Sequence, residues 1–98
     1  MPHLPSDVRP YRRTPEFTEA TVPQALREAH STKAGAWALI HVLEGRLAYR
    51  IRDPRRPPSE TVLTPDTPPD VVEPTVLHAV EPIGPVRFYV EFHRGDEV

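Results

Sequence analysis

Two stretches of the chain alternate between apolar and polar residues with a period of two. Leu47, Tyr49 and Ile51 alternate with Arg46, Arg50 and Arg52, and Val86, Phe88, Val90 and Phe92 alternate with Arg87, Tyr89, Glu91 and His93. Successive side chains of a strand point to opposite faces, so each stretch predicts a strand with one apolar face. Residues 36–43 are apolar except at His41, and they lie between Gly35 and Gly45. So short a run between two glycines predicts a buried strand. Glu44 and Gly45 then predict a tight turn into the next strand. Shorter strands are predicted over residues 60–63, 71–73 and 77–80, with turns at 64–69 and 81–85. Residues 11–17 predict an edge strand interrupted at Pro15, and residues 23–29 fit either one helical turn or a short strand. Roughly six to eight short strands with close-set turns predict an all-β sandwich or barrel.

Composition sharpens this picture. Fourteen prolines against four glycines in 98 residues disfavour a helical bundle, because proline removes a backbone donor and clashes inside a helix. The length fits one domain over residues 1–98, with a proline-rich N-terminal arm at 1–10 and a polar tail at 94–98. The net charge is −2 with both signs interspersed, so no nucleic-acid partner is expected. Arg52, Arg55 and Arg56 sit among prolines and are read as a solvated loop rather than a phosphate site. The chain has no cysteine, so any metal would have to use imidazole, carboxylate or water. The N-terminus carries no apolar signal-like run, and no apolar stretch reaches the roughly 20 residues that cross a bilayer. A cytoplasmic protein with no membrane partner is the expectation.

The candidate chemistry rests on two histidines. His30 precedes the apolar strand, and His78 enters a strand inside Pro74-Thr75-Val76-Leu77-His78-Ala79-Val80-Glu81-Pro82. Two imidazoles delivered by separate strands are a start on a metal site, but zinc usually takes three protein ligands and a water, or four. Glu81 and Glu91 are the candidate third ligands. Glu91 poses a question of parity: if Phe88, Val90 and Phe92 face the core, Glu91 faces away from it. A one-residue shift of register reverses every face, so the alternation leaves both arrangements open. His41, inside an apolar run, reads as a core or interface histidine. Trp37, Tyr49 and Tyr89 are candidate pocket walls, although aromatics in strands more often serve the core. No nucleophile elbow, zinc-protease motif or phosphate-binding glycine loop is present.

Several separated motifs carry a family resemblance. Val42-Leu43-Glu44-Gly45 followed by Leu47-Ala48-Tyr49, with a proline-flanked histidine before a later strand, resembles the cupins. Tyr11-Arg12-Arg13-Thr14-Pro15-Glu16-Phe17, Ala29-His30-Ser31-Thr32-Lys33-Ala34-Gly35-Ala36-Trp37, His78-Ala79-Val80-Glu81-Pro82 and Val86-Arg87-Phe88-Tyr89-Val90-Glu91-Phe92 together look more closely like the TehB/YeaR-like domain family. That resemblance spans nearly the whole chain. It implies a single-domain cupin-like β-barrel, a double-stranded β-helix or jelly roll. In this family the barrel stands alone or is fused ahead of an S-adenosylmethionine-dependent methyltransferase, and the family is associated by name with tellurite resistance. Thr32 stands where a cupin's second metal histidine would follow His30, so the first motif supplies one ligand at most.

The expectation drawn from residues and resemblance together is a small metal-binding cupin-like protein. Its divalent metal, expected to be zinc, would be held by His30 and His78 with Glu91 or Glu81, and Thr32, Trp37, Tyr49 and Tyr89 would line the pocket. A small anionic ligand and a homodimer are the expected partners. The alternative is a non-enzymatic ligand-sensing or dimerising module without metal. A metalloenzyme is the third reading, weakened by the reduced ligand set.

Overall fold

The computed structural model describes residues 3–95, so the outermost residues of the expected arm and tail lie outside the described residues. In chain order the elements are β1 (Val8–Arg13), β2 (Phe17–Thr18), α1 (Gln24–Arg27), β3 (Trp37–Ile51), β4 (Ser59–Leu63), β5 (Asp70–Val72) and β6 (His78–Gly95). The boundary expected at residue 10 thus falls inside β1, and β6 runs into the expected tail. The segment left open at 23–29 is the helical turn α1, which starts after Pro23. No helix among the described residues is long and apolar enough to cross a membrane.

The frame is one antiparallel ribbon of two long strands, β3 and β6, paired from Trp37 opposite His93 to Ile51 opposite His78. Two predicted turns are therefore not turns. Residues 44–45 and 81–85 lie within β3 and β6, where the register slips between Val42 and Glu44 and again between Gly45 and Leu47. Extra residues on one strand of a pair bend it and increase its twist. Gly45 sits at this bend with φ +79°, and a Cβ there would overlap the Pro85 carbonyl oxygen and lie 2.9 Å from the Val86 Cα. Only glycine meets both demands at little cost.

The bend brings the two halves of the ribbon onto one core. Ala38, Ile40 and Val42 from the first half of β3 join Leu47 and Tyr49 from the second, with Val80, Val86 and Phe88 of β6, Leu63 of β4 and Val72 of β5. The predicted apolar faces are the ones buried: Leu47 and Phe88 are both fully enclosed. Beyond the bend, β4 pairs with Leu47–Ile51, while β5 pairs with the first half of β3, and β1 and β2 pair with β6.

The protein is thus a mostly β-sheet single compact domain, and the expected closed barrel does not form. The sheet runs β1-β6-β3-β4 and ends there, with no pairing between β1 and β4 among the described residues. The ends of that path are built to resist pairing. β1 has Pro10 within it, a register slip between Pro10 and Arg12, and exposed arginines at 9, 12 and 13. Proline cannot donate to a ladder, and charge on an edge opposes further strand addition. β4 follows Pro57 and Pro58, and its residues 59–62 are exposed.

Candidate functional site

The inner face of the ribbon is not fully packed. A cavity of about 240 Å³ lies over it. Ala38 and Ile40 of β3, Val72 of β5 and His78, Val80, Phe88, Val90 and Phe92 of β6 line it from the sheet, and Tyr11, Thr14, Leu26 of α1 and residues 30–33 with Ala36 complete the lining. The segment over the cavity is tied down locally. Thr32 Oγ1 donates to the Ala36 carbonyl at 2.7 Å, Ala36 N–H donates to Lys33 at 3.0 Å, and Thr75 N–H donates to the Thr32 carbonyl at 2.9 Å.

His30 and His78 meet at this cavity. Their backbones exchange two hydrogen bonds, His30 N to His78 O at 2.9 Å and His78 N to His30 O at 2.8 Å. Directly opposed residues of an antiparallel pair bring their side chains together, and the two rings stand edge to face with centroids 4.2 Å apart. Each ring is oriented in the same way. Nδ1 of His30 lies 2.9 Å from the Glu28 carbonyl, and Nδ1 of His78 lies 2.9 Å from the Val76 carbonyl. A carbonyl oxygen only accepts, so both Nδ1 atoms carry the proton and, in the neutral rings, both Nε2 atoms are acceptors. Burial lowers the His78 pKa to about 4, against the pull of the Val76 carbonyl and with a smaller push from His30. His78 is therefore neutral at pH 7.

The strand that delivers His78 is held by Asp53, a carboxylate only 3% exposed. Its Oδ2 accepts from Leu77 N–H at 3.0 Å and from Arg55 Nη2 at 2.6 Å, and its Oδ1 accepts from Arg55 N and Nε at 2.8 Å each. These bonds, led by the Arg55 side chain, hold the carboxyl well below the ordinary carboxylate range. Arg55 also donates to the Thr75 carbonyl at 2.7 Å, across a turn in which Thr75 adopts the left-handed φ of 64°. The arginine loop expected to be solvated thus anchors the approach to His78, with Arg56 pairing to Glu73 at 2.9 Å. An aspartate followed by proline and flanked by arginines was the signal for this anchor, since such side chains bond the backbone two residues on.

The other expected ligands stand elsewhere. Glu81 is paired with Arg27 at 2.7 Å. Glu91 lies on the opposite face of the ribbon, because Phe88, Val90 and Phe92 take the cavity side. There its Oε1 accepts from His93 Nε2 at 2.8 Å and lies 3.8 Å from His41 Nε2. Tyr89 stacks on His41 with centroids 4.6 Å apart, beneath the Arg13 guanidinium at 3.8 Å. Of the four expected pocket walls, Thr32 lines the cavity. Tyr49 is buried with its ring 5.6 Å from His78, and Trp37 pairs with His93 in the ribbon. No group of three or more His, Cys, Asp or Glu side chains that could hold a metal ion occurs among the described residues. The zinc site of His30, His78 and a glutamate is therefore corrected: each glutamate is held by another partner, and the imidazole pair stands without a carboxylate.

The TehB-like domain profile matches residues 12–90 of the chain. A probable S-adenosyl-L-methionine-dependent methyltransferase, TehB of Haemophilus influenzae, is 35% identical over 72 residues, which is 72% of this chain and 25% of that protein. The same protein from strain 10810 of that species is 33% identical over 72 residues, with the same coverage. The chain thus spans about a quarter of the curated relatives it matches. The crystal structure of TehB from Haemophilus influenzae superposes with a TM-score of 0.85 at 27% identity, over 92% of this chain and 32% of that one. The crystal structure of an Escherichia coli K12 protein superposes with a TM-score of 0.85 at 20% identity, over 97% of this chain and 98% of that one, a likeness of fold alone.

These names correct the expected function as well as the expected cofactor. The relatives are named for S-adenosyl-L-methionine-dependent methyl transfer, not for metal binding, and the reading as a zinc-binding cupin with an anionic ligand is set aside. The residues of this chain do not fit S-adenosyl-L-methionine either. No carboxylate lines the cavity among the described residues, so the cationic sulfonium would meet no anion there and would share the lining with Lys33. Ribose in nucleotide sites is commonly held by an acidic side chain, and burying a charge without a partner is costly.

Proposed function

The chain belongs to the TehB-like domain family, and from that we propose that it is an accessory domain of S-adenosyl-L-methionine-dependent methyl transfer, holding a small apolar ligand while the cofactor binds on a separate catalytic region. The observation that carries this reading is the mismatch between the relatives' name and the lining of the cavity. The matched region covers a quarter of the named methyltransferases. In this chain that region offers a largely apolar chamber with no carboxylate among the described residues to meet a sulfonium. Apolar cavities of about 150 Å³ stay dry and take up benzene, so a chamber of about 240 Å³ is large enough for a small aromatic ligand.

Equilibrium binding tests the reading. The domain is expected to take up one toluene per chain and to retain no S-adenosyl-L-methionine in dialysis. Stoichiometric retention of the cofactor, or no saturable uptake of toluene, contradicts it. A second proposal, association of two copies, rests on the exposed side chains of Tyr11 and Val62 and needs no pairing of the strand edges. A single-chain mass in sedimentation at high protein concentration contradicts that one.

A further inference from the structure

Most of the cavity lining is apolar, yet it includes two imidazoles arranged alike. His30 and His78 both spend their Nδ1 proton on a carbonyl two residues earlier in the chain. No hydrogen bond to Nε2 of either ring exists among the described residues, although both residues line the cavity. His78 is 4% exposed. A ligand that supplies a donor to Nε2 replaces the hydrogen bond that water would make there, and a ligand without a donor forfeits it. A ligand that presents a lone pair instead meets a second lone pair.

We propose that this imidazole pair selects apolar ligands that carry a single X–H head, a hydroxyl or a thiol, and rejects the same molecules once that head is capped as X–CH3. The inference rests on the reading of the cavity as a ligand chamber and adds the chemistry of the two imidazoles in its lining. The body of the ligand lies on Val80, Phe88 and Val90, and its head donates to Nε2 of His78 or His30. The neutral state of His78 at pH 7 follows from its burial and keeps the acceptor available. For an accessory domain of methyl transfer, the consequence is directional. A methyl acceptor binds, and its methylated counterpart, which has lost the donor, is released. Sites built to hydrogen-bond a hydroxyl discriminate strongly against analogues that lack it.

The test uses three ligands of similar size and the intact chain: phenol, its methyl ether anisole, and toluene. Affinities are measured by calorimetry at pH 7, and the measurement is repeated on His78→Leu and His30→Leu. Phenol is expected to bind at least as tightly as toluene and about tenfold more tightly than anisole, as one hydrogen bond of about 1.4 kcal/mol implies. Substitution of the ring that accepts the hydrogen bond, His78 or His30, is expected to lower phenol affinity about tenfold relative to toluene, and phenol affinity unchanged in both variants overturns the selection. The comparison of ligands on the unsubstituted chain stands even if a variant fails to fold. Toluene binding tenfold tighter than phenol, or anisole matching phenol, overturns the selection by the imidazole pair and leaves the chamber. Failure of all three ligands to bind overturns the chamber and the selection together.

Discussion

The two faces of the β3–β6 ribbon each carry a pair of histidines, and the pairs have opposite surroundings. On the inner face His30 and His78 stand edge to face in the lining of a largely apolar cavity, with no carboxylate in that lining among the described residues. On the outer face Glu91 sits between His41 and His93, with Tyr89 and Arg13 stacked alongside. The outer cluster contains the imidazoles and the carboxylate that a metal site asks for in composition, yet Glu91 is bonded to His93 and the group is not disposed to hold an ion. The inner pair lacks the carboxylate and has a chamber. Residue type alone would have assigned these faces the other way round; which side of a strand each residue occupies decides what its chemistry is for.

The largest way to break the comparison is to remove the floor of the inner face. Phe88→Ala empties a fully enclosed site in the core, and it is expected to cost about 3–5 kcal/mol in chemical denaturation. A loss below about 1 kcal/mol would mean that the inner face is not the core of the fold.

Acid is the next lever. In the unfolded chain an imidazole takes its proton near pH 6.5, whereas the folded His78 holds off protonation to about 4. The unfolded state therefore binds more protons between these values. Stability is full above about pH 6.5 and falls as the pH drops toward 4, by on the order of 3 kcal/mol in all. Denaturation midpoints between pH 7 and 4 measure this slope, and His78→Gln is expected to remove its contribution. An unchanged slope in that variant would contradict the neutral, buried state of His78.

The outer face supplies the smallest effect. Glu91→Gln keeps the shape and replaces one acceptor for His93, so a loss of about 1 kcal/mol or less is expected. Uptake of toluene is expected to be unaffected, since Glu91 lies outside the cavity lining. A substantial loss of uptake would join the two faces functionally and undo the distinction between them.

Much of the frame was legible in the chain. The alternation at 47–52 and 86–93 marked the apolar faces that the core uses, and the strands at 60–63 and 71–73 are β4 and β5 to within a residue or two. The bends were not legible. Glu44-Gly45 and Pro82 to Pro85 carry the residues of a turn, and a glycine with positive φ serves a hairpin turn and a bulge equally well. Pairing of both segments within one ribbon, with Gly45 beneath Pro85, is a long-range fact that neither segment carries alone. The same holds for the site. His30 and His78 were recognisable as a pair. Their separation from Glu91 turned on parity, which was settled when Phe88 took the core. Asp53, the anchor of His78, was hidden inside a loop whose arginines pointed to solvent. The cavity was illegible, because its volume depends on how residues 30–36 lie across strands far away in the chain.

One measurement bears most directly on the division between the faces. Backbone amide NMR spectra are recorded while the domain is titrated with toluene. The account predicts saturable shifts concentrated at Ala38, Ile40, Val80, Phe88 and Val90, which line the cavity, with the outer cluster of His41, Tyr89, Glu91 and His93 shifting least. Shifts centred on that outer cluster, or shifts that never saturate, would contradict it.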